Sequence, residues 1–150
     1  MRWTPPFERS YAGAMIAVDT NVLVRLLTWD DPEQAAEAKA LFNANEIFVA
    51  KTVLLETEWV LRSLYALDTG RIAAALRGLL GLPRLRCEDR NAVEMALRCY
   101  EQGLDFADAL HLTSSVGAGK LVTFDQRFRK RGRGVCPIEI FTVAALLDGT

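Results

Sequence analysis

The chain has one histidine, three cysteines and no long hydrophobic run, and each shortage excludes a class of protein. A zinc site needs histidine or cysteine ligands, which this chain hardly supplies. Cys87, Cys99 and Cys136 are odd in number and lack metal-like spacing, so we expect three buried or partly buried thiols in a reducing cytoplasm. The apolar runs, such as 14–18, are far shorter than the ~20 residues of a membrane span. We therefore expect a soluble, cytoplasmic protein that contacts no membrane.

Motifs for nucleotide and acyl chemistry are also missing. The chain has neither a Gly-x-x-x-x-Gly-Lys-Ser/Thr loop nor a Gly-x-Gly-x-x-Gly fingerprint, and it has no Gly-x-Ser-x-Gly elbow. An aspartyl-phosphate phosphatase would carry a second aspartate two residues after Asp19, where this chain has Asn21. A receiver-type phosphoacceptor domain is the second candidate fold. It is disfavoured because no lysine follows the predicted strand at Leu121-Val122.

Segments of strand length and helix length alternate along a chain of 150 residues, of which 51% are hydrophobic and 25% are charged. Short apolar segments predict strands at 16–18, 47–49, around 85, 121–124 and 138–140, with helices between them. Asp31, Pro32 and Gln34, for example, predict a helix start with a capping box. This alternation predicts an α/β fold with a mostly parallel central sheet and helices on both faces.

The domain organisation predicted from this pattern is simple. Residues 15–150 are assigned to a single domain. Residues 1–14 contain Pro5-Pro6 and mixed charges, without the apolar core of a signal peptide. Because Met15 directly precedes the first strand, we expect 1–14 to be an N-terminal extension, either flexible or added upstream of the natural start.

Two acids stand where predicted strands end. Asp19 closes the apolar run 16–18 and Asp125 closes 121–124, and both are followed by a helix. Either acid could be a helix N-cap, because Asp accepts hydrogen bonds from orphan backbone amides. Either could also line the ligand crevice at the carboxyl ends of parallel strands. For each residue taken alone, capping is the stronger interpretation.

A third acid lies within an apolar-patterned helix. Glu56 has apolar helical neighbours three and four positions away, among them Trp59, and a carboxylate there is costly unless it is paired or metal-bound. Glu58 has Arg62 four positions downstream, which supplies an ordinary surface pair. We therefore select Glu56 for the pocket and expect Glu58 to be a solvated helix residue.

The fourth acid follows a turn glycine. Asp105 is predicted to cap a helix that begins near Phe106, with Asp108 as the third residue inside it. A capping-box-like start is sufficient to explain Asp105. Asp108 has apolar residues around it, including Ala109 and Leu110, so a place in a pocket is favoured for that carboxylate.

Four acids can converge only with protons or a cation among them. Two carboxylates ~4 Å apart repel by roughly 4 kcal/mol at an effective dielectric near 20. Ligand sets made only of oxygen favour hard ions such as Mg²⁺ or Mn²⁺, with water and substrate phosphate completing the shell. The acids therefore predict a divalent metal pocket.

Together the acidic motifs resemble those of the PIN-domain ribonucleases, specifically the VapC toxins of bacterial toxin–antitoxin pairs. The resemblance covers about residues 15–147. The matching motifs are Asp19-Thr20-Asn21-Val22-Leu23-Val24-Arg25, Leu55-Glu56 before Trp59-Val60-Leu61, Asp105-Phe106-Ala107-Asp108-Ala109-Leu110-His111 and Thr123-Phe124-Asp125.

This resemblance implies a PIN-like three-layer sandwich and a Mg²⁺- or Mn²⁺-dependent endoribonuclease that hydrolyses RNA phosphodiester bonds. It also implies a cognate antitoxin as protein partner and a homodimer. The catalytic, metal-binding acids map onto Asp19, Glu56, Asp108 and Asp125. The supporting positions are Asn21, Thr123 and Asp105.

A basic segment follows the last acid. It contains Arg127, Arg129, Lys130, Arg131 and Arg133. These cations could contact RNA phosphates and so position the RNA without recognising its base sequence, or they could form a solvated basic loop. The net charge of −1 gives no overall nucleic-acid signature, although a local patch can still act.

Three other residues are candidates for roles near the site. His111 lies three residues after Asp108, but a lone histidine on an apolar helix is more often structural, so it stays outside the catalytic set. Trp29 and Trp59 are candidate anchors for an antitoxin, with core packing favoured for Trp59.

Two other functions stay open at this point. One is a catalytically inactive module that binds metal or antitoxin, and the other is a DNA-directed nuclease of the same fold. No residue of the motifs separates ribose from deoxyribose recognition. The motifs also specify neither the RNA target nor the cleavage sequence.

Overall fold

The computed structural model describes residues 15–136 and 138–149, so the expectation for 1–14 lies outside the described residues. The strands are β1 (Met15–Ala17), β2 (Glu46–Val49), β3 (Leu85–Cys87), β4 (Lys120–Thr123) and β5 (Glu139–Thr142). The helices are α1 (Thr20–Thr28), α2 (Pro32–Ala44), α3 (Lys51–Ser63), α4 (Thr69–Leu80), α5 (Arg90–Glu101), α6 (Phe106–Thr113), α7 (Gln126–Gly132) and α8 (Val143–Asp148), and a 3₁₀ turn spans Val116–Ala118. None of the described helices is long and apolar enough to cross a bilayer.

The strand pairs of the described residues are parallel, which confirms the predicted α/β class. β2 lies between β1 and β3, while β4 pairs with β5. The hydrogen-bonded strands thus fall into a three-stranded and a two-stranded group. Because strands in each group point the same way, the residues that follow them lie at one edge of their sheet. Asp19 follows β1 and Asp125 follows β4 at such edges.

The start of α2 shows how local signals place the helices. Asp31 is its N-cap and accepts a hydrogen bond from the Gln34 backbone N–H at 3.1 Å, with Pro32 in the first turn, as predicted. The Gln34 side chain does not close the predicted capping box. Its Oε1 accepts from Arg25 Nε at 2.8 Å instead, because a guanidinium is the stronger donor.

The hydrophobic core is formed by residues of the first sheet and of the helices α1 to α6. Phe128 on α7 and Ile138, directly before β5, belong to the same core. The Phe106 ring, at the first residue of α6, meets the Tyr100 ring edge-on with centroids 5.3 Å apart. This contact fixes the start of the helix that carries Asp108. Fully buried members include Leu54, Leu61, Ile72, Leu76, Leu97, Phe106 and Leu112.

Cys99 and Cys136 are joined by a disulfide, so the expectation of three thiols is wrong for this pair. The two residues are 37 positions apart, and the fold brings the end of α5 against the segment before β5. The residues around Cys99 and Cys136 in the sequence do not indicate that the two thiols come together in the fold. Cys87 is the free thiol among the described residues, and burial raises its pKa to about 11. The Cys87 thiol is therefore a poor nucleophile.

Candidate active site

Asp19 is exposed and begins α1. Its Oδ1 accepts a hydrogen bond from the Val22 N–H at 3.3 Å, so the capping interpretation is confirmed. The same residue lines a cavity of about 480 Å³ together with Asn21 and Glu37. Capping therefore uses one carboxylate oxygen and leaves the other for a ligand in this cavity.

Asp125 is arranged in the same way at the start of α7. Its Oδ1 accepts from the Arg127 N–H at 2.9 Å and from the Phe128 N–H at 3.2 Å. Thr123 supports it through the backbone, since the Thr123 hydroxyl accepts from the Asp125 N–H at 2.9 Å. Within the described residues Oδ2 of Asp125 accepts no hydrogen bond. That oxygen is free for a cation.

Asp108 is half-buried and is the third residue of α6, the helix whose N-cap the sequence predicts. Asp105 is that N-cap, and it accepts from the Asp108 N–H at 3.1 Å. Burial raises the pKa of Asp108, and the charges of Asp105 and then Asp125 raise it further. The structure thus brings Asp108 within electrostatic reach of two other acids.

The structure reverses the expected burial of the two acids on α3. Glu56 is exposed, and Trp59 is 52% exposed rather than packed in the core. Glu58 is 2% exposed, so the expectation of a solvated Glu58 is wrong. The reason is helical phase, because Leu54, Glu58 and Leu61 are spaced by four and three residues and share the face that α3 turns to the core.

Buried Glu58 is satisfied by two partners. Its Oε2 accepts from Arg62 Nε at 2.9 Å and from the Tyr100 hydroxyl at 3.1 Å. Burial and the neighbouring Glu58 carboxylate raise the pKa of Tyr100 to about 12. The network connects α3, which carries Glu56, with α5. Tyr100 then contacts Phe106 at the start of α6, the helix of Asp108.

The predicted acids are brought together only in part. Asp108 lies near Asp105 and Asp125, while Glu56 and Asp105 line one groove beside α3. Asp19 lines the separate cavity described above. Across residues 15–136 and 138–149, no three acids, histidines or cysteines are close enough to hold one metal ion.

The side-chain chemistry of these acids nevertheless fits a hard divalent ion. Their donors are carboxylate oxygens alone, and one oxygen of Asp125 is unused. His111 is exposed at the end of α6. Its imidazole makes no hydrogen bond within the described part of the chain. Its exclusion from the catalytic set stays a prediction.

The basic segment forms α7 and the turn after it. Elsewhere in the protein many arginines are ion-paired, as in Arg90–Glu94 and Arg77–Glu101. In contrast, none of the five cations after Asp125 forms an ion pair with a described residue. Arg129 and Arg133 line a cavity of about 350 Å³ beside β5. The unpaired side chains are Arg127, Arg129, Lys130, Arg131 and Arg133.

Comparison with known proteins adds the family. The PIN domain model matches residues 16–134. No curated protein sequence gives a significant match. Among solved structures, the VapC20 protein of Mycobacterium tuberculosis, described as a sarcin–ricin loop cleaving toxin, is 22% identical, with 79% of this chain and 95% of that chain covered and a TM-score of 0.40. A protein only 22% identical to this chain implies nothing about the substrate of this chain. The family match, however, spans most of the chain and all four acidic motifs, so the chain belongs to the PIN domain family.

Proposed function

We propose that this protein is a Mg²⁺- or Mn²⁺-dependent endoribonuclease and the toxin component of a toxin–antitoxin pair. Membership of the PIN family supports a phosphodiesterase. The observation that supports the metal is the half-buried Asp108, whose pKa is raised by burial and then by the charges of Asp105 and Asp125, because a divalent cation would offset that repulsion.

The proposed metal ligands are Asp19, Glu56, Asp108 and Asp125. Helix caps orient two of them, because the backbone N–H groups of α1 and α7 hold Asp19 and Asp125 by one oxygen each. Thr123 supports Asp125 by accepting from its backbone N–H, and the Asp105 carboxylate accepts from the backbone N–H of Asp108. The supporting role proposed for Asn21 rests on its place beside Asp19 in the same cavity. The chemistry that a bound ion supplies is activation of water and neutralisation of charge on the phosphodiester.

In the proposed reaction a water molecule attacks the phosphorus atom and the bond from phosphorus to the ribose 3′-oxygen breaks, so the products carry a 5′-phosphate and a 3′-hydroxyl. Purified protein should cleave RNA with Mg²⁺ or Mn²⁺, and EDTA should stop the reaction. The ends are identified by ligation and phosphatase treatment. Products with 2′,3′-cyclic phosphate would contradict this mechanism, and cleavage of single-stranded DNA at the same rate would favour the DNA-directed alternative.

The unpaired cations of α7 are proposed to hold the RNA backbone. Replacing Arg127 and Arg131 with glutamine should weaken RNA binding and lower the slope of log K against log salt by about 1.4, or ~0.7 for each lost phosphate contact with a single strand. The measurement is filter binding from low to moderate salt. The matched control is Arg98→Gln on α5, an exposed arginine with no ion pair to a described residue. Equal slopes for both variants would contradict the assignment.

Partners and location follow from the same proposal. An antitoxin would hold the toxin inactive, and a homodimer is expected from the family resemblance. Trp29 and Trp59 are 46% and 52% exposed, so both indole rings are accessible to partners. The proposed location is the cytoplasm, where the RNA substrate is.

A further inference from the structure

A groove of about 440 Å³ adjoins the candidate active site between α3 and α6. Two of its lining residues, the proposed metal ligand Glu56 and the supporting Asp105, belong to the proposed site, so the groove borders the proposed reaction centre. Its floor and rim combine apolar and charged groups. The lining residues that matter are Leu55, Glu56, Trp59, Arg62, Asp105 and Ala107.

Trp59 presents a large aromatic surface to this groove. It lies three residues after Glu56 on α3, so the two side chains share one face of the helix. The residue is 52% exposed, although burying an indole ring is strongly favourable. An exposed tryptophan beside an active site is a surface on which a planar ligand can stack.

Arg62 adds a cation on the same face, three residues after Trp59. Its Nε and Nη2 are bound to the buried carboxylate of Glu58, which fixes the guanidinium in one orientation. The Arg62 side chain is nevertheless 49% exposed. Within the described residues Nη1 makes no hydrogen bond, so part of the guanidinium remains available to an anion from solvent.

We propose that this groove is a nucleotide subsite, in which an unpaired RNA base next to the scissile phosphate stacks on Trp59 and an adjacent phosphate meets Arg62. The inference rests on the proposed ribonuclease function. The groove walls favour a base over an apolar peptide, because the carboxylates of Glu56 and Asp105 accept hydrogen bonds from base amino groups. Stacking tolerates any base, so the subsite selects single-stranded over paired RNA.

The subsite is tested by Trp59→Ala, with Trp59→Phe as the conservative variant. In Trp59→Ala the KM for a short single-stranded RNA should rise about tenfold with kcat changed less than about twofold, since stacking contributes to binding and the indole touches no reacting atom. Trp59→Phe should keep most of the affinity. Trp29→Ala is the matched control, because Trp29 is similarly exposed, at 46%, but lies outside the groove. Circular dichroism checks that each variant folds.

A binding measurement keeps this proposal separate from the catalytic one. With Trp3 and Trp29 replaced by phenylalanine, Trp59 is the remaining tryptophan. Its fluorescence should be quenched by a single-stranded oligoribonucleotide in EDTA, whether or not the protein cleaves RNA. An unchanged KM in Trp59→Ala, or the absence of quenching, overturns the subsite and leaves the nuclease proposal standing. If Trp59→Ala changes the sedimentation coefficient but not the affinity for RNA, the subsite is overturned, and Trp59 instead lies in a contact between copies of the chain.

Discussion

Replacing Asp108 with asparagine is expected to lower kcat for RNA cleavage at least about 100-fold while the metal-free protein stays folded. Asparagine keeps the volume of the side chain but removes the charge that would attract the metal ion. Burial, and then the charges of Asp105 and Asp125, raise the pKa of Asp108 and so disfavour its ionised form. Removing its charge should therefore leave the metal-free protein unchanged in stability or slightly more stable.

The measurement pairs single-turnover cleavage with urea unfolding in EDTA. The matched control is Asp68→Asn, which makes the same change of charge at the N-cap of α4, where Asp68 accepts from the Arg71 N–H at 2.8 Å. Asparagine is also a good cap, so this control should keep both activity and stability. An active Asp108→Asn protein would remove Asp108 from the catalytic set.

Replacing Arg62 with alanine is expected to destabilise the protein by about 2–4 kcal/mol, which is more than the loss from Glu58→Leu. The two expected losses of stability differ because Glu58 is buried while the Arg62 side chain is 49% exposed. Glu58 is 2% exposed in the native protein, and without Arg62 its carboxylate keeps only the Tyr100 hydroxyl as a hydrogen-bond partner among the described residues. Without Glu58, the half-exposed Arg62 can turn to water, and leucine fills the space in an apolar surrounding.

Urea unfolding at pH 7 measures both free energies of unfolding. The control is Glu94→Ala, which removes an exposed Arg90–Glu94 pair of the same four-residue spacing and the same 2.9 Å distance. That change should cost less than about 1 kcal/mol, as exposed ion pairs do. If Glu58→Leu proves more costly than Arg62→Ala, the Tyr100 hydrogen bond rather than the ion pair dominates this network.

The sequence predicts those features of the fold that depend on near neighbours. The start of α6 at Phe106, its cap Asp105 and the cap Asp31 follow from residues within one turn of the helix. The positions of Asp19 and Asp125 at strand ends follow from short apolar runs that finish in an acid. In all these cases the deciding interaction lies within four residues.

Two of the wrong predictions involve residues far apart in the sequence. Tyr100 lies 42 residues from Glu58 and makes burial of that acid possible, while the nearby Arg62 suggests a surface pair. Cys99 meets Cys136 across 37 residues. Helical phase was the missed signal on α3, since an acid four residues after Leu54 lies on the buried face.

The most direct test of the proposed function is the mapping of new RNA 5′ ends across the transcriptome after brief induction in a bacterial host. Wild-type protein is compared with Asp19→Asn and Asp125→Asn, whose asparagines can still cap α1 and α7. We expect discrete new 5′-phosphate ends with the wild type and none with either variant, at equal expression. Ends that persist in both variants, or no ends in any of the three, would contradict a ribonuclease centred on these acids.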